Sequence, residues 1–282
     1  MERRTRSTGW RHGKLSGHKN EALVKAALDS DRDFQQHFLN RIKCPDATIK
    51  ASSIGGLHER NVPGVNGRKT KSKTDLKAYL STNEVVNVSI KKSLSGQVYL
   101  VRAGLFIDTF EKQFDTEIPA DVQRAINLFW AAADDAVDII KEFGDRSDEK
   151  SFNLQMRHKS LNATTLKAYN EHLSNVLLEW FTDNAYMLAK LSFSMGAVCD
   201  SKEWADFVWL INLLGENDAD DIFFIEDICN AVQKAANKET YYGSSSGGTT
   251  IQLPFGLVQW HQAKLQFRHD HKKISDLLKE RL

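Results

Sequence analysis

Between Val85 and Ser93 the chain reads VVNVSIKKS, and the alternation of Val86, Val88 and Ile90 commits this stretch to a half-buried β-strand. Successive side chains of a strand point to opposite faces, so Asn87, Ser89 and Lys91 share the face away from the apolar set. The segment TDLKAYL just before it alternates as well, and the intervening STNE reads as a turn between two antiparallel strands. Two registers are open. If Leu80 stands opposite Val85, Asp75 lies across from Ile90 and points into the core; a shift of one residue sets it beside Ser89 or Lys91. The shifted register, or a bulge, is the expectation, because a buried unpaired carboxylate is costly.

Around this pair the chain changes period. Helical spacing predicts helices over Asn20 to Leu28, Asp121 to Phe143, Thr165 to Leu191, Lys202 to Leu214 and Ile225 to Ala236. Trp180, Trp204 and Trp209 fall in those apolar stripes and read as core. QVYLVRAG follows the strand pair as a further strand or a bent loop, and IQLPFGLVQWHQAKLQFRHD reads as a hairpin about its Pro-Phe-Gly. The run from Ser52 to Lys73, rich in Gly, Pro, Asn, Arg and Lys, reads as a surface loop. The fold class is therefore α/β or mixed α+β, with a small sheet. With 282 residues at 41% hydrophobic content, one domain over 1–282 is expected: 1–110 with the first helix, basic loop and strand pair, 111–240 mainly helical, and 241–282 the closing strands.

Three cysteines, Cys44, Cys199 and Cys229, are odd in number and lack a CxxC spacing, which argues against a disulfide framework and a structural zinc site. The basic N-terminus has no apolar run behind it, and AYMLAKLSFSMGAV is too short to span a bilayer, so a soluble cytoplasmic protein with no membrane partner is expected. The net charge of +1 conceals a basic first hundred residues.

An aspartate on one strand facing a lysine at the end of the next suits metal-assisted phosphodiester hydrolysis. The Asp75 carboxylate is a ligand for a hard divalent cation, usually magnesium, and the backbone carbonyl of Ile90 is a further oxygen donor. Lys91 beside them would orient or deprotonate the attacking water and offset transition-state charge.

SKTD followed by VSIKKS resembles the active-site hairpin of the PD-(D/E)XK nucleases, in particular the small type II restriction endonucleases in which an amide replaces the acidic residue two before the lysine. Ser89 holds that position here. GHKNEAL resembles the first helix of those enzymes, which implies that Glu21 is an auxiliary metal ligand, and the block from LEWFTDNAYML through KEWADFVWLIN to KLQFRHD is similar to their C-terminal half. The resemblance implies a central mixed sheet flanked by helices, one or two magnesium ions, and cleavage of double-stranded DNA at a short sequence within a restriction-modification system, by a monomer or homodimer.

Duplex DNA presents a line of phosphates that Lys and Arg neutralise. Arg60, Arg68, Lys69, Lys71, Lys73 and Lys92, with His58, fit that role. The resemblance implies that the C-terminal strands take part in specificity, where Gln259, His261, Gln262, Lys264, Gln266 and Arg268 supply the donors and acceptors that base edges require. The same residues allow two other readings: a DNA-binding protein that has lost its second carboxylate, and a repair nuclease of the same superfamily.

Overall fold

The computed structural model describes residues 6–54, 62–215, 217–244 and 247–279. The elements run α1 (Arg6–Ser30), α2 (Arg32–Arg41), β1 (Ile49–Ile54), β2 (Val62–Pro63), β3 (Lys69–Thr70), β4 (Leu76–Leu80), β5 (Val85–Lys91) and β6 (Ser95–Val101). Helices α3 (Ala103–Phe114), α4 (Ala120–Phe129), α5 (Ala136–Phe143), α6 (Glu149–His158), α7 (Ala163–Tyr169), α8 (Glu171–Asp183) and α9 (Ala185–Lys190) follow. The chain closes with β7 (Phe207–Ile211), β8 (Asp220–Phe224), α10 (Ile225–Glu239), β9 (Tyr241–Tyr242), β10 (Thr250–Leu253), β11 (Gly256–Trp260), β12 (Leu265–Asp270) and α11 (His271–Lys279). Two compact units divide it, 1–94 with 193–226 and 95–192 with 227–282.

The first unit is built on a five-stranded mixed sheet in the order β1-β4-β5-β7-β8. Only β5 and β7 run parallel; every other neighbouring pair is antiparallel. Val24 and Leu28 of α1 and Phe38 and Leu39 of α2 cover one face, against Leu76, Ala78, Val86, Val88, Ile90 and Trp209. Phe34 and Phe38 stack on the Trp209 ring at 5.5 and 5.1 Å, and Trp209 Nε1 donates to Asp220 Oδ1 at 2.8 Å, so the buried indole is satisfied.

β7 corrects the expected helix over Lys202 to Leu214. All five residues of FVWLI are buried, as in a strand covered on both faces, and an unbroken apolar run carries no period by which to tell strand from helix. Two other predicted helices are broken. Asp121 to Phe143 divides after Trp130, where Ala131 turns left-handed at φ 63°. Thr165 to Leu191 becomes α7, α8 and α9, with Asn170 capping α8 by accepting from Leu173 N.

The second unit holds an antiparallel sheet in the order β6-β12-β11-β10-β9. The small sheet expected is thus two five-stranded sheets. The expected C-terminal hairpin is a three-strand meander, β10-β11-β12, whose second turn puts Gln262 and Ala263 at positive φ. Phe267 packs on Tyr99 and Phe106, and Phe110 on Trp180, beneath that sheet. Among the described residues no helix is long and apolar enough to cross a membrane.

Candidate active site

Asp75 precedes β4 and accompanies the C-terminal end of β5. The ladder pairs Leu76 with Val88 and Tyr79 with Val85, the shifted register, so Asp75 comes level with Ser89, and its N–H donates to Val88 O at 2.9 Å. Its Oδ2 accepts from Ile90 N at 2.8 Å, from Ser89 Oγ at 3.2 Å and from Lys91 Nζ at 3.2 Å. Lys91 Nζ also donates to Ser89 Oγ at 2.7 Å and to Ile90 O at 3.0 Å. The Asp75 and Lys91 side chains are each 21% exposed, which leaves the pair accessible to a ligand, whereas Ser89 is 2% exposed and fully committed to it. Charge-assisted hydrogen bonds of this kind hold all three groups in one geometry.

The two strands are pinned from the side. Ser72 Oγ and Thr74 Oγ1 both donate to Glu203 O at 3.0 Å, and Lys77 pairs with the Glu203 carboxylate at 2.6 Å. Asn87, level with Lys77, donates its N–H to Asp206 Oδ2 and its side-chain amide to Lys202 O.

Glu21 reaches the same cluster from α1. The neighbouring Asn20 is fully buried, donates to Ile211 O at 2.9 Å and accepts from Leu213 N at 2.8 Å, which fixes the helix at the end of β7. His18 Nδ1 lies 3.0 Å from Glu21 Oε2, one turn away. Burial raises the Glu21 carboxyl above its ordinary range, and the Asp75 carboxylate beside it adds to the effect. Sequence reasoning singles out neither Asn20 nor His18. The i, i+3 spacing in HKNE was the available signal for His18, while Asn20 on an otherwise apolar helix face was the signal for a buried anchor.

The basic run before Asp75 is less of a free loop than composition implies. β1 occupies its start, and β2 and β3 close a small hairpin on which Gly64 N donates to Arg68 O. Val65 N and Cys199 N tie that hairpin to Ala197 O and Pro63 O. Arg68, Lys69 and Lys71 are exposed, and Lys92, at the end of β5, is partly buried. Its carbonyl accepts from the Asn212 and Asn217 amides. Arg60 and His58 lie outside the described residues. Lys73 departs from the expectation of a surface lysine: it is partly buried, and desolvation, reinforced by the Lys91 ammonium, lowers it from 10.5 to about 7, against the pull of Asp75.

A lysine lowered in the folded chain binds fewer protons there than in the unfolded chain from about pH 7 up to about 10.5, so unfolding free energy rises with pH across that window. We expect thermal stability in metal-free buffer to increase between about pH 7 and 9, by at most about 1.4 kcal/mol per pH unit. Lys73→Met should flatten the increase; an unchanged slope in the variant would show that the lysine is not its source.

The remaining predicted residues lie in the second unit, on its sheet. Gln259 Nε2 donates to Gln266 Oε1 at 2.7 Å, and Gln266 Nε2 to Gln97 Oε1 at 2.9 Å, an amide row across β11, β12 and β6. Arg268 reaches Ser95 Oγ at 3.4 Å. His261, Gln262 and Lys264 form the β11–β12 turn, where His261 and Lys264 exchange backbone hydrogen bonds.

Among the described residues no three His, Cys, Asp or Glu side chains gather as a metal-binding group. The donors present are Asp75, Glu21 and the Ile90 carbonyl, all oxygen, with two carboxylates near enough to repel. An all-oxygen set with few charged ligands fits magnesium, which retains several waters, better than zinc, which is held mostly by Cys and His.

No protein-family model matches the chain, and no curated protein sequence does. Among solved structures it is similar to the crystal structure of restriction endonuclease MspI in complex with its cognate DNA. The two share 13% identity over 92% of each chain with a TM-score of 0.51. The chain therefore has a restriction-endonuclease-like fold, a mixed α/β architecture with a central mixed sheet flanked by helices.

Proposed function

We propose that the protein is a magnesium-dependent type II restriction endonuclease that hydrolyses phosphodiester bonds of double-stranded DNA at a short specific sequence. The observation that carries this reading is the gathering of the Asp75 carboxylate, Lys91 ammonium and Ile90 carbonyl at one strand end, with the Glu21 carboxylate beside them. Asp75, Glu21 and the Ile90 carbonyl would hold the metal. When bound, that ion supplies Lewis-acid polarisation of the phosphate and lowers the pKa of the attacking water. Lys91, whose three N–H donors meet Asp75 Oδ2, Ser89 Oγ and Ile90 O, exchanges one of them for the phosphate as the duplex binds, orients or deprotonates the water, and offsets charge as the phosphorane-like transition state forms. Ser89 keeps Lys91 and Asp75 in register where related enzymes carry a further ligand.

Arg68, Lys69, Lys71 and Lys92 supply phosphate contacts that hold the duplex, and Arg60 belongs to the same basic stretch. Gln259, Gln266 and Arg268, together with His261, Gln262 and Lys264, read base edges.

Ser89 also favours a second reading. A hydroxyl in place of the second carboxylate leaves a site with fewer metal ligands, as in a DNA-binding protein that has lost catalysis. Incubation of the purified protein with unmethylated phage DNA and magnesium separates the readings. Discrete fragments are expected; smearing or cutting confined to structured DNA would favour a repair nuclease, and binding without cutting would favour the binder.

A further inference from the structure

Strict alternation along β6 would send Gln97 into the core. Tyr99 packs on Phe267 and Val101 is 5% exposed, so both face inward, and a residue two before Tyr99 belongs on the same side. The ladder breaks that parity. Tyr99 pairs with Phe267 and Gln97 with Arg268, which leaves Val98 as an extra residue between two consecutive partners on β12. A β-bulge of this kind re-aims the side chains next to it. Val98 takes the buried place, and Gln97 turns out to solvent on the edge strand of its sheet.

Turned outward, Gln97 completes the amide row. Gln259 Nε2 donates to Gln266 Oε1 and Gln266 Nε2 to Gln97 Oε1, so each amide hands a proton to the next in one direction. That direction decides what each end has left to offer. The oxygen of Gln97 is engaged by Gln266, and its amide nitrogen presents two N–H donors; Gln259, at the other end, presents its carbonyl oxygen. Arg268, the ladder partner of Gln97, adds further donors and no acceptor. The β6 end of the row is thus a donor end, held in place before any ligand arrives, which lowers the ordering cost of binding.

We propose that Gln97 is a specificity-determining residue, the donor end of this amide row, and that with Arg268 it selects a guanine in the major groove. The inference rests on the nuclease reading and deepens it. Guanine sets two acceptors, N7 and O6, side by side on its major-groove edge, whereas adenine pairs its N7 with a donor, cytosine offers a donor and thymine a single acceptor beside a methyl group. A pair of side chains that presents donors alone is satisfied fully only by guanine. Each other base leaves a donor unmet or opposes it with another donor.

The cleavage site is first located by sequencing the ends of fragments from unmethylated phage DNA. Single-turnover rates are then measured on the cognate duplex and on duplexes with each single base-pair substitution, for the unaltered protein, Q97E and Q97K. Q97E keeps an oxygen for Gln266 Nε2 and replaces the outward donor by an acceptor; Q97K keeps a donor and gives up the oxygen. Discrimination at one G·C pair of the site should fall about 10- to 100-fold in Q97E and stay within about twofold at the other pairs. Q97K should retain part of the discrimination at that pair.

Unchanged discrimination at every pair in Q97E would overturn the role of Gln97. So would an equal slowing on all duplexes, the result of a row that serves the sheet alone. A loss confined to an A·T pair, or one as large in Q97K as in Q97E, would overturn the assignment of a donor reading guanine. Should melting curves show that Q97E does not fold, Q97L, which offers neither donor nor acceptor, is held to the same outcomes. If the unaltered protein cuts no duplex at all, the nuclease reading falls and this inference with it, an outcome distinct from each of the others.

Discussion

Lys91→Ala is expected to slow magnesium-dependent cleavage of duplex DNA by about 10³-fold or more, with folding and DNA binding largely intact. The ammonium is the only group among the described residues that donates at once to Asp75 Oδ2, Ser89 Oγ and Ile90 O, so its loss removes a fixed positive charge and, in the function proposed above, the donor that orients the water. The fold loses little. The Lys91 side chain is 21% exposed and its ion pair with Asp75 is partly solvated, so the pair contributes about 1 kcal/mol or less. Asp75 keeps two of its three donors, Ile90 N–H and Ser89 Oγ. Rate and binding measured on the same preparation, with circular dichroism as the check on folding, test this. A variant that cuts at the unaltered rate would remove Lys91 from the chemistry.

Trp209→Ala carries the largest expected cost in stability, about 3–5 kcal/mol. The indole is 0% exposed, lies between the Phe34 and Phe38 rings on one side and the sheet on the other, and pairs across the parallel ladder with Ile90. Truncation opens a cavity under the strand that carries Ser89 and Lys91. It also strips Asp220 Oδ1 of its indole donor. Urea denaturation followed by circular dichroism measures the effect, with Trp209→Phe expected to lose less because an aromatic ring still fills most of the space. A midpoint for Trp209→Ala within error of the unaltered protein would mean that this cluster does not hold the first unit together.

The β4–β5 pair and the level placement of Asp75 with Ser89 were legible because two constraints agreed: a period of two along both segments and the cost of sending a carboxylate into the core. β7 was not legible. FVWLI is apolar at every position because both of its faces are covered, and the polar residues that could have marked a period lie outside it. The joints at Asn170 and Ala131 divide helical stripes whose apolar spacing continues across them, so periodicity alone merges the pieces.

Lys73 shows the same limit at the site. Within TKSKTD it looks like one more lysine of a solvated run, yet it is partly buried with its stem against Gly196, a residue remote in sequence that only tertiary packing brings near. The approach of Glu21 to Asp75 likewise depends on Asn20 meeting Ile211 and Leu213 at the far end of β7. A sequence reading supplies such residues as candidates by type; which of them converge is decided by long-range contacts that carry no local pattern.

A metal-dependent phosphodiester-cleaving centre at Asp75 is put to the test by incubating one linear duplex of known sequence with the unaltered protein and with Asp75→Asn, each in magnesium and in EDTA. The substitution preserves the size of the side chain and keeps an oxygen acceptor for Ile90 N–H while removing the carboxylate charge. Discrete fragments from the unaltered protein in magnesium, and uncut duplex in the other three reactions, are the predicted result. The same fragments from Asp75→Asn, or cutting undiminished in EDTA, would contradict it.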